Sequence, residues 1–177
     1  MILRHTYTRS RDTARAALRY YQMRPRGADE PPRAVFGPAG TLARDEAYRL
    51  LDQHQPPHGR YLAHRLMLSP SDDECPEDLR AMAYRTMREL GREKGRALAW
   101  VAVEHRNTDQ PHVHIVLAGG DGPRDLRLDR ADHTRLKASA ADYCRMEARI
   151  RGDWEHALAT AARGDDGLRD ARLLIER

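Results

Sequence analysis

The chain has 177 residues, 31 basic against 27 acidic side chains, a net charge of +4 and 40% hydrophobic residues. That length suits one domain with a real core, and no apolar run approaches membrane-spanning length or forms a secretory leader, so a soluble, cytoplasmic protein is expected. Cys75 and Cys144 lack metal-ligand spacing and imply no disulfide framework.

Met1 to Thr8 alternates like a first strand, and Ser10 with Asp12 supplies a helix start. The helix runs to about Met23 with an apolar stripe of Ala14, Ala17, Leu18 and Tyr21, which assigns Tyr21 to the packed face and turns Tyr20 toward its edge. Residues 1–27 hold seven arginines, among them Arg4, Arg15, Arg19 and Arg24, against Asp12 alone, a local net charge of +6. Guanidinium groups grip phosphate oxygens in a bidentate fork, so these four are candidate DNA-backbone contacts. Arg24 to Pro32 reads as a loop, and Pro38-Ala39-Gly40-Thr41 starts a second helix over about Leu42 to Gln53. Residues 60–69 read as a strand. Ser71 and Glu74 form a capping box before a long amphipathic helix carrying Leu79, Met82, Ala83, Met87 and Leu90 and closed by Gly91. Further on, Leu126-Arg127-Leu128 reads as a short strand, followed by helices over about 131–150 and 153–162, with a hinge at Gly164 to Gly167.

The stretch from Ala99 to Leu117 carries the chemistry. Residues two apart on a strand share a face, so His112 and His114 project side by side while Val113, Ile115 and Leu117 face a core. The preceding run places His105 at a strand end, and Asn107, Thr108, Asp109 and Pro111 can turn the chain back antiparallel. A lone His-x-His pair is often only two surface histidines. Three imidazoles with a carboxylate between them favour a metal, since imidazole is the commonest transition-metal ligand and carboxylates often orient it.

The pattern His105-x-x-x-Asp109-x-Pro111-His112-x-His114 followed by a hydrophobic strand resembles the motif of the HUH endonucleases, in particular plasmid relaxases of the mobilization-nuclease type. Arg19-Tyr20-Tyr21-Gln22-Met23-Arg24 resembles their tyrosine motif, and the segments His64 to Pro70 and Leu98 to Val103 are similar to strands of their fold. The tyrosines precede the histidines, as in relaxases, whereas rolling-circle initiators usually place theirs after. Asn107 stands where many relatives carry an acid, leaving the supporting role to Asp109 or Glu104.

The resemblance, which covers roughly residues 1–150, implies an α+β fold. Its expected palm is an antiparallel sheet of about five strands with helices on one face and a helical C-terminal extension. It also implies a nuclease domain over 1–162, with 163–177 a helical tail or the start of a further region. The expected activity is nicking of one DNA strand at a transfer origin. Tyr20, or its neighbour Tyr21, would attack a phosphate held by Mg²⁺ or Mn²⁺ on His105, His112 and His114, leaving a 5′-phosphotyrosine that can be religated. Asp109 would orient a histidine. Expected partners are single-stranded or melted origin DNA and accessory and coupling proteins of conjugative transfer. Two alternatives stay open: a rolling-circle replication initiator using Tyr143, and a non-catalytic DNA-binding module with a structural metal.

Overall fold

A computed structural model describes residues 1–24, 31–56, 60–71, 75–106, 109–120 and 125–175, with side chains through residue 160. The elements in chain order are β1 (Ile2–Thr8), α1 (Arg11–Met23), β2 (Val35–Gly37), β3 (Gly40–Leu42), α2 (Arg44–Gln53), β4 (Ala63–Ser69), α3 (Leu79–Glu93), β5 (Trp100–His105), β6 (His112–Ala118) and α4 (Arg130–Ile175). All strands join one sheet in the order β1-β4-β6-β5-β2-β3, and every neighbouring pair is antiparallel. This is the expected α+β class, with differences of detail.

The sheet has six strands where sequence suggested about five. Residues read as the start of a helix instead form the β2–β3 hairpin, in which Gly40 takes φ +112°, a conformation that glycine permits without Cβ strain. Conversely, Leu126-Arg127-Leu128 is not a strand, although Leu126 is buried and its backbone N–H donates to the Gly119 carbonyl at 2.7 Å.

Helices cover both faces rather than one. Strand alternation sends Leu66, Leu68, Ala102, Val113, Ile115 and Leu117 to one side, where Leu79, Met82, Ala83 and Met87 of α3 and Leu136 of α4 close a core. Ala63, Val101, Val103, Val116 and Ala118 face the other side against Ala14 and Leu18 of α1 and Ala47 and Leu51 of α2. Leu18 and Leu51 are fully buried, so truncating either to alanine costs about 2–5 kcal/mol.

Caps fix the helix starts. Ser10 Oγ accepts from Thr13 N at 3.1 Å, and Asp78 rather than Ser71 caps α3, its carboxylate accepting from Ala81 N at 2.8 Å. Glu74 lies outside the described residues. At α4, Asp129 and Asp132 exchange side-chain and backbone hydrogen bonds, and Lys94 meets the fully buried Asp132 carboxylate at 2.7 Å.

The helix expected to break near residue 151 and to hinge at Gly164 runs without interruption as α4. Two compact units divide the chain, Met1–Cys144 and Arg145–Arg177, the first holding the sheet and the second the remainder of α4. Among the described residues no helix is long and apolar enough to cross a membrane.

Candidate active site

The register of β5 and β6 builds the histidine cluster. His105 and His112 are direct cross-strand partners, and His114 stands two residues further along the same face, opposite Val103. Their ring centroids lie 4.8 to 5.0 Å apart, and one ligand atom from each can be chosen so that all fall within 4.8 Å of one another. The three expected imidazoles therefore converge.

Backbone carbonyls fix two of the rings. His105 Nε2 donates to the Tyr21 carbonyl at 2.8 Å, and His112 Nδ1 donates to the Gln110 carbonyl at 2.7 Å. Those bonds set the tautomers, so His105 Nδ1 and His112 Nε2 are left as lone-pair acceptors. Both atoms, with His114 Nδ1, are buried and have no hydrogen-bond partner among the described residues. A buried, unpartnered ring nitrogen is costly unless something occupies it, and three clustered imidazoles that each carry one suit a cation with open coordination positions. The residues present fit a metal ion.

Electrostatics keeps the rings neutral. Burial lowers the His105 pKa to about 4, reinforced by Arg33 and His112. His114 falls to about 3 through burial and then the two other histidines, and burial likewise lowers His112. A neutral imidazole is the form that binds metal.

The tyrosine pair reaches this site from the end of α1. Tyr21 lies flat on His114, ring centroids 3.9 Å apart and planes 2° from parallel, and burial raises its hydroxyl pKa above the ordinary value. Tyr20 is 57% exposed, with its ring centroid 6.1 Å from that of Tyr21. The stripe reading correctly turned Tyr21 toward the sheet, but on this face the sheet is also where the histidines are. The chain leaving α1 is tied down on both sides of residues 25–30, which lie outside the description. Arg33 N donates to the Gln22 carbonyl at 3.2 Å, and an Arg33 guanidinium nitrogen donates to the Arg24 carbonyl at 2.9 Å.

Asp109 is exposed, and among the described residues no hydrogen bond joins it to an imidazole. Glu104 points to the other face, where it pairs with Arg80 at 3.1 Å and also with Arg106. The orienting task expected of a carboxylate is performed by the Tyr21 and Gln110 carbonyls.

Of the four arginines expected on DNA, Arg4 lines a cavity of about 240 Å³ together with Thr6, Tyr21, Arg65, Met67 and His114. Arg19 and Arg24 are exposed, and Arg24 lies close enough to depress all three histidine pKa values. Arg15 is committed elsewhere, in an ion pair with Asp52 and over the Tyr48 ring, 5.0 Å from its centroid. Sequence reasoning missed Arg65, whose Nε is buried beside the site with no hydrogen-bond partner among the described residues. Its place on β4 opposite Val116 puts it on the histidine face, a signal available from strand alternation alone. Tyr143 packs against the core on the opposite face of the sheet.

An antiparallel sheet presenting three convergent, neutral imidazoles defines a histidine-lined site with the donor set to hold a metal ion. The family follows from comparison: the model for "Relaxase: MobA/VirD2-like, nuclease domain" matches residues 41–148, more than half the chain. The chain belongs to this relaxase family, whose nuclease domain nicks DNA. The matched span contains all three histidines and leaves β1 and α1, with the tyrosine pair, outside it. Among curated proteins none matches the chain.

Proposed function

We propose that this chain nicks one strand of DNA at an origin of transfer by tyrosine attack, and so starts the transfer of a conjugative plasmid or other mobile element. The observation that carries the proposal is the set of three buried, unpartnered imidazole nitrogens lying beside a tyrosine pair at the end of α1. A divalent cation held by His105, His112 and His114, Mg²⁺ or Mn²⁺, supplies charge neutralisation at the scissile phosphate when bound.

Tyr20 is the proposed nucleophile. Its exposed ring is open to an incoming strand, whereas the Tyr21 ring is held flat on His114 and its burial disfavours the phenolate. The Tyr20 oxygen bonds to phosphorus and releases its proton to water. The bond to the 3′ oxygen breaks, that oxygen leaves as a hydroxyl, and a 5′-phosphotyrosine remains with its energy conserved for religation. Tyr21 acts as a shelf that fixes the plane of His114. Arg4 and Arg65, lining the cavity beside that shelf, hold backbone phosphates, and Arg24 adds positive field at the histidines. In-line attack requires a single-stranded or locally melted substrate. We take residues 1–162 as the nuclease portion, the cytoplasm as its compartment, and accessory and coupling proteins of transfer as its further partners.

The test is covalent capture. A labelled single-stranded origin oligonucleotide incubated with Mg²⁺ or Mn²⁺ should become attached to the protein, and peptide mapping should place it on Tyr20. Nicking without an adduct would reveal a hydrolytic nuclease instead. The replication-initiator reading is weaker because Tyr143 packs on the far face of the sheet.

A further inference from the structure

The carbonyls that close α1 are taken up by residues from other segments. The Tyr21 carbonyl accepts from His105 Nε2 at 2.8 Å, the Gln22 carbonyl from Arg33 N at 3.2 Å, and the Arg24 carbonyl from an Arg33 guanidinium nitrogen at 2.9 Å. In return, Gln22 Nε2 donates to the Arg33 carbonyl at 3.3 Å. The helix supplies little of this itself. Its C-cap, Arg24, has φ −49° and ψ 128°, so the left-handed glycine that commonly ends a helix is missing. Its last turn also holds no basic residue to meet the negative end of the helix dipole. Arg33 brings both the donors and the positive charge from outside.

Arg33 is itself firmly placed. It is buried, an unusual position for a guanidinium, and two residues further on Val35 is buried and pairs with Val103 of β5, as Phe36 does with Ala102. β5 ends at His105. After burial, the Arg33 charge is the next cause of the lowered His105 pKa, and it acts on His112 as well. One residue is therefore joined by hydrogen bonds to the helix end that carries the tyrosine pair, and by a short length of chain to the neighbour of the strand that carries His105. The Tyr20 ring is largely exposed, so its place relative to the histidines is set mainly by the backbone beneath it.

We propose that Arg33 is a positioning residue for strand nicking, clamping the end of α1 so that Tyr20 is held at a fixed distance from the histidine cluster. The proposal rests on the tyrosine reading given above. In-line attack tolerates little error, and a displacement of about 1 Å can lower a rate about a hundredfold.

The test uses the full chain with a labelled single-stranded origin oligonucleotide and Mn²⁺. Arg33→Met keeps an apolar stem and removes the cation with its donors, whereas Arg33→Lys keeps the charge and a donor. At saturating oligonucleotide, Arg33→Met should slow adduct formation about a hundredfold and Arg33→Lys only about tenfold. The oligonucleotide concentration for half-maximal rate, and the affinity for Mn²⁺, should stay near the wild-type values in both. Hydrogen exchange supplies a readout independent of the reaction: the Arg24 and residue-33 amides should exchange about tenfold faster in Arg33→Met, with those of α2 and α3 unchanged. Either variant forming adduct at the wild-type rate would overturn the proposal. A loss lying wholly in oligonucleotide affinity would overturn it too, by making Arg33 a phosphate contact, and so would faster exchange in every helix alike, the mark of a residue needed only for folding. A wild type that nicks without an adduct would remove the tyrosine reading and this proposal with it.

Discussion

The Tyr21 ring lies parallel on His114, 3.9 Å away, while the carbonyl of the same tyrosine accepts the His105 Nε2 proton at 2.8 Å. One residue therefore braces two of the three candidate ligands, one through its ring and the other through its backbone. Tyr21→Phe should leave both supports and the covalent DNA adduct in place. Tyr21→Ala should keep the carbonyl but lose the stack, worth about 0.5–1.5 kcal/mol, and weaken metal affinity up to roughly tenfold. Titration calorimetry with Mn²⁺ reads the difference, and equal affinities for the two variants would rule out the bracing role.

Tyr20→Phe should eliminate the adduct while preserving oligonucleotide binding and metal affinity, since only the attacking oxygen is removed. Tyr143→Phe should react normally. Adduct formation by the Tyr20 variant at wild-type rate would transfer the nucleophile to Tyr21.

His112→Ala and His114→Ala should each reduce nicking by more than a hundredfold with the fold retained, and chelator should reproduce the effect. Circular dichroism of the variants separates lost chemistry from lost structure. Normal nicking in chelator would sink the metal assignment.

DNA binding should weaken steeply with salt, and replacing Arg65 and Arg24 together should lower the slope of log K against log salt by about one unit per lost phosphate contact. Arg15→Ala should instead destabilise the packing of α1 on α2, because its partner is Asp52, and leave the salt slope unchanged. A double variant with the wild-type slope would place the strand on another surface.

Acid should destabilise the fold before it protonates most carboxylates. His5 and His105 have pKa values lowered from 6.5 to about 4, His114 to about 3, and His64 and His112 are lowered as well, in each case chiefly by burial. Between about pH 6.5 and pH 4 the unfolded chain binds more protons than the folded one, so stability falls as pH drops through that window and is unaffected above it by these groups. His5 and His64 lie outside the ligand cluster, joined by a 3.0 Å bond, with His133 donating to His5 at 2.8 Å and His64 donating to the Leu126 carbonyl at 2.9 Å. The melting temperature measured from pH 7 to pH 5 should decline for the wild type. It should decline less for His5→Gln. A flat profile in the wild type would contradict the buried, neutral state of these rings.

The histidines were legible because strand alternation has a period of two, which fixes His112 and His114 on one face whatever the rest of the fold does. The partners that orient them were not. A carbonyl of Tyr21 or Gln110 belongs to every residue type, so nothing in the sequence could select it over the carboxylate of Asp109. The tyrosine helix was read with the right stripe, but the stripe alone could not show that the face on which it sets Tyr21 is also the face that carries the histidines. Pro38 misled in the β2–β3 region, because it serves equally well at a helix start and in a tight turn, and only pairing of Val35 and Phe36 with β5 resolves the two.

The sheet order has a practical consequence for dissecting the molecule. β1 is the sole outer partner of β4, and β2 is the strand that shields β5, yet both precede the span by which the family is detected. A fragment cut to residues 41–148 would reduce the sheet to β4, β6 and β5, with unsatisfied backbone groups along both margins and the apolar surface under α1 laid bare. Such a piece would keep every histidine and still be expected to aggregate by edge-to-edge strand addition, so the segment that identifies the family is not a unit that can stand alone in solution.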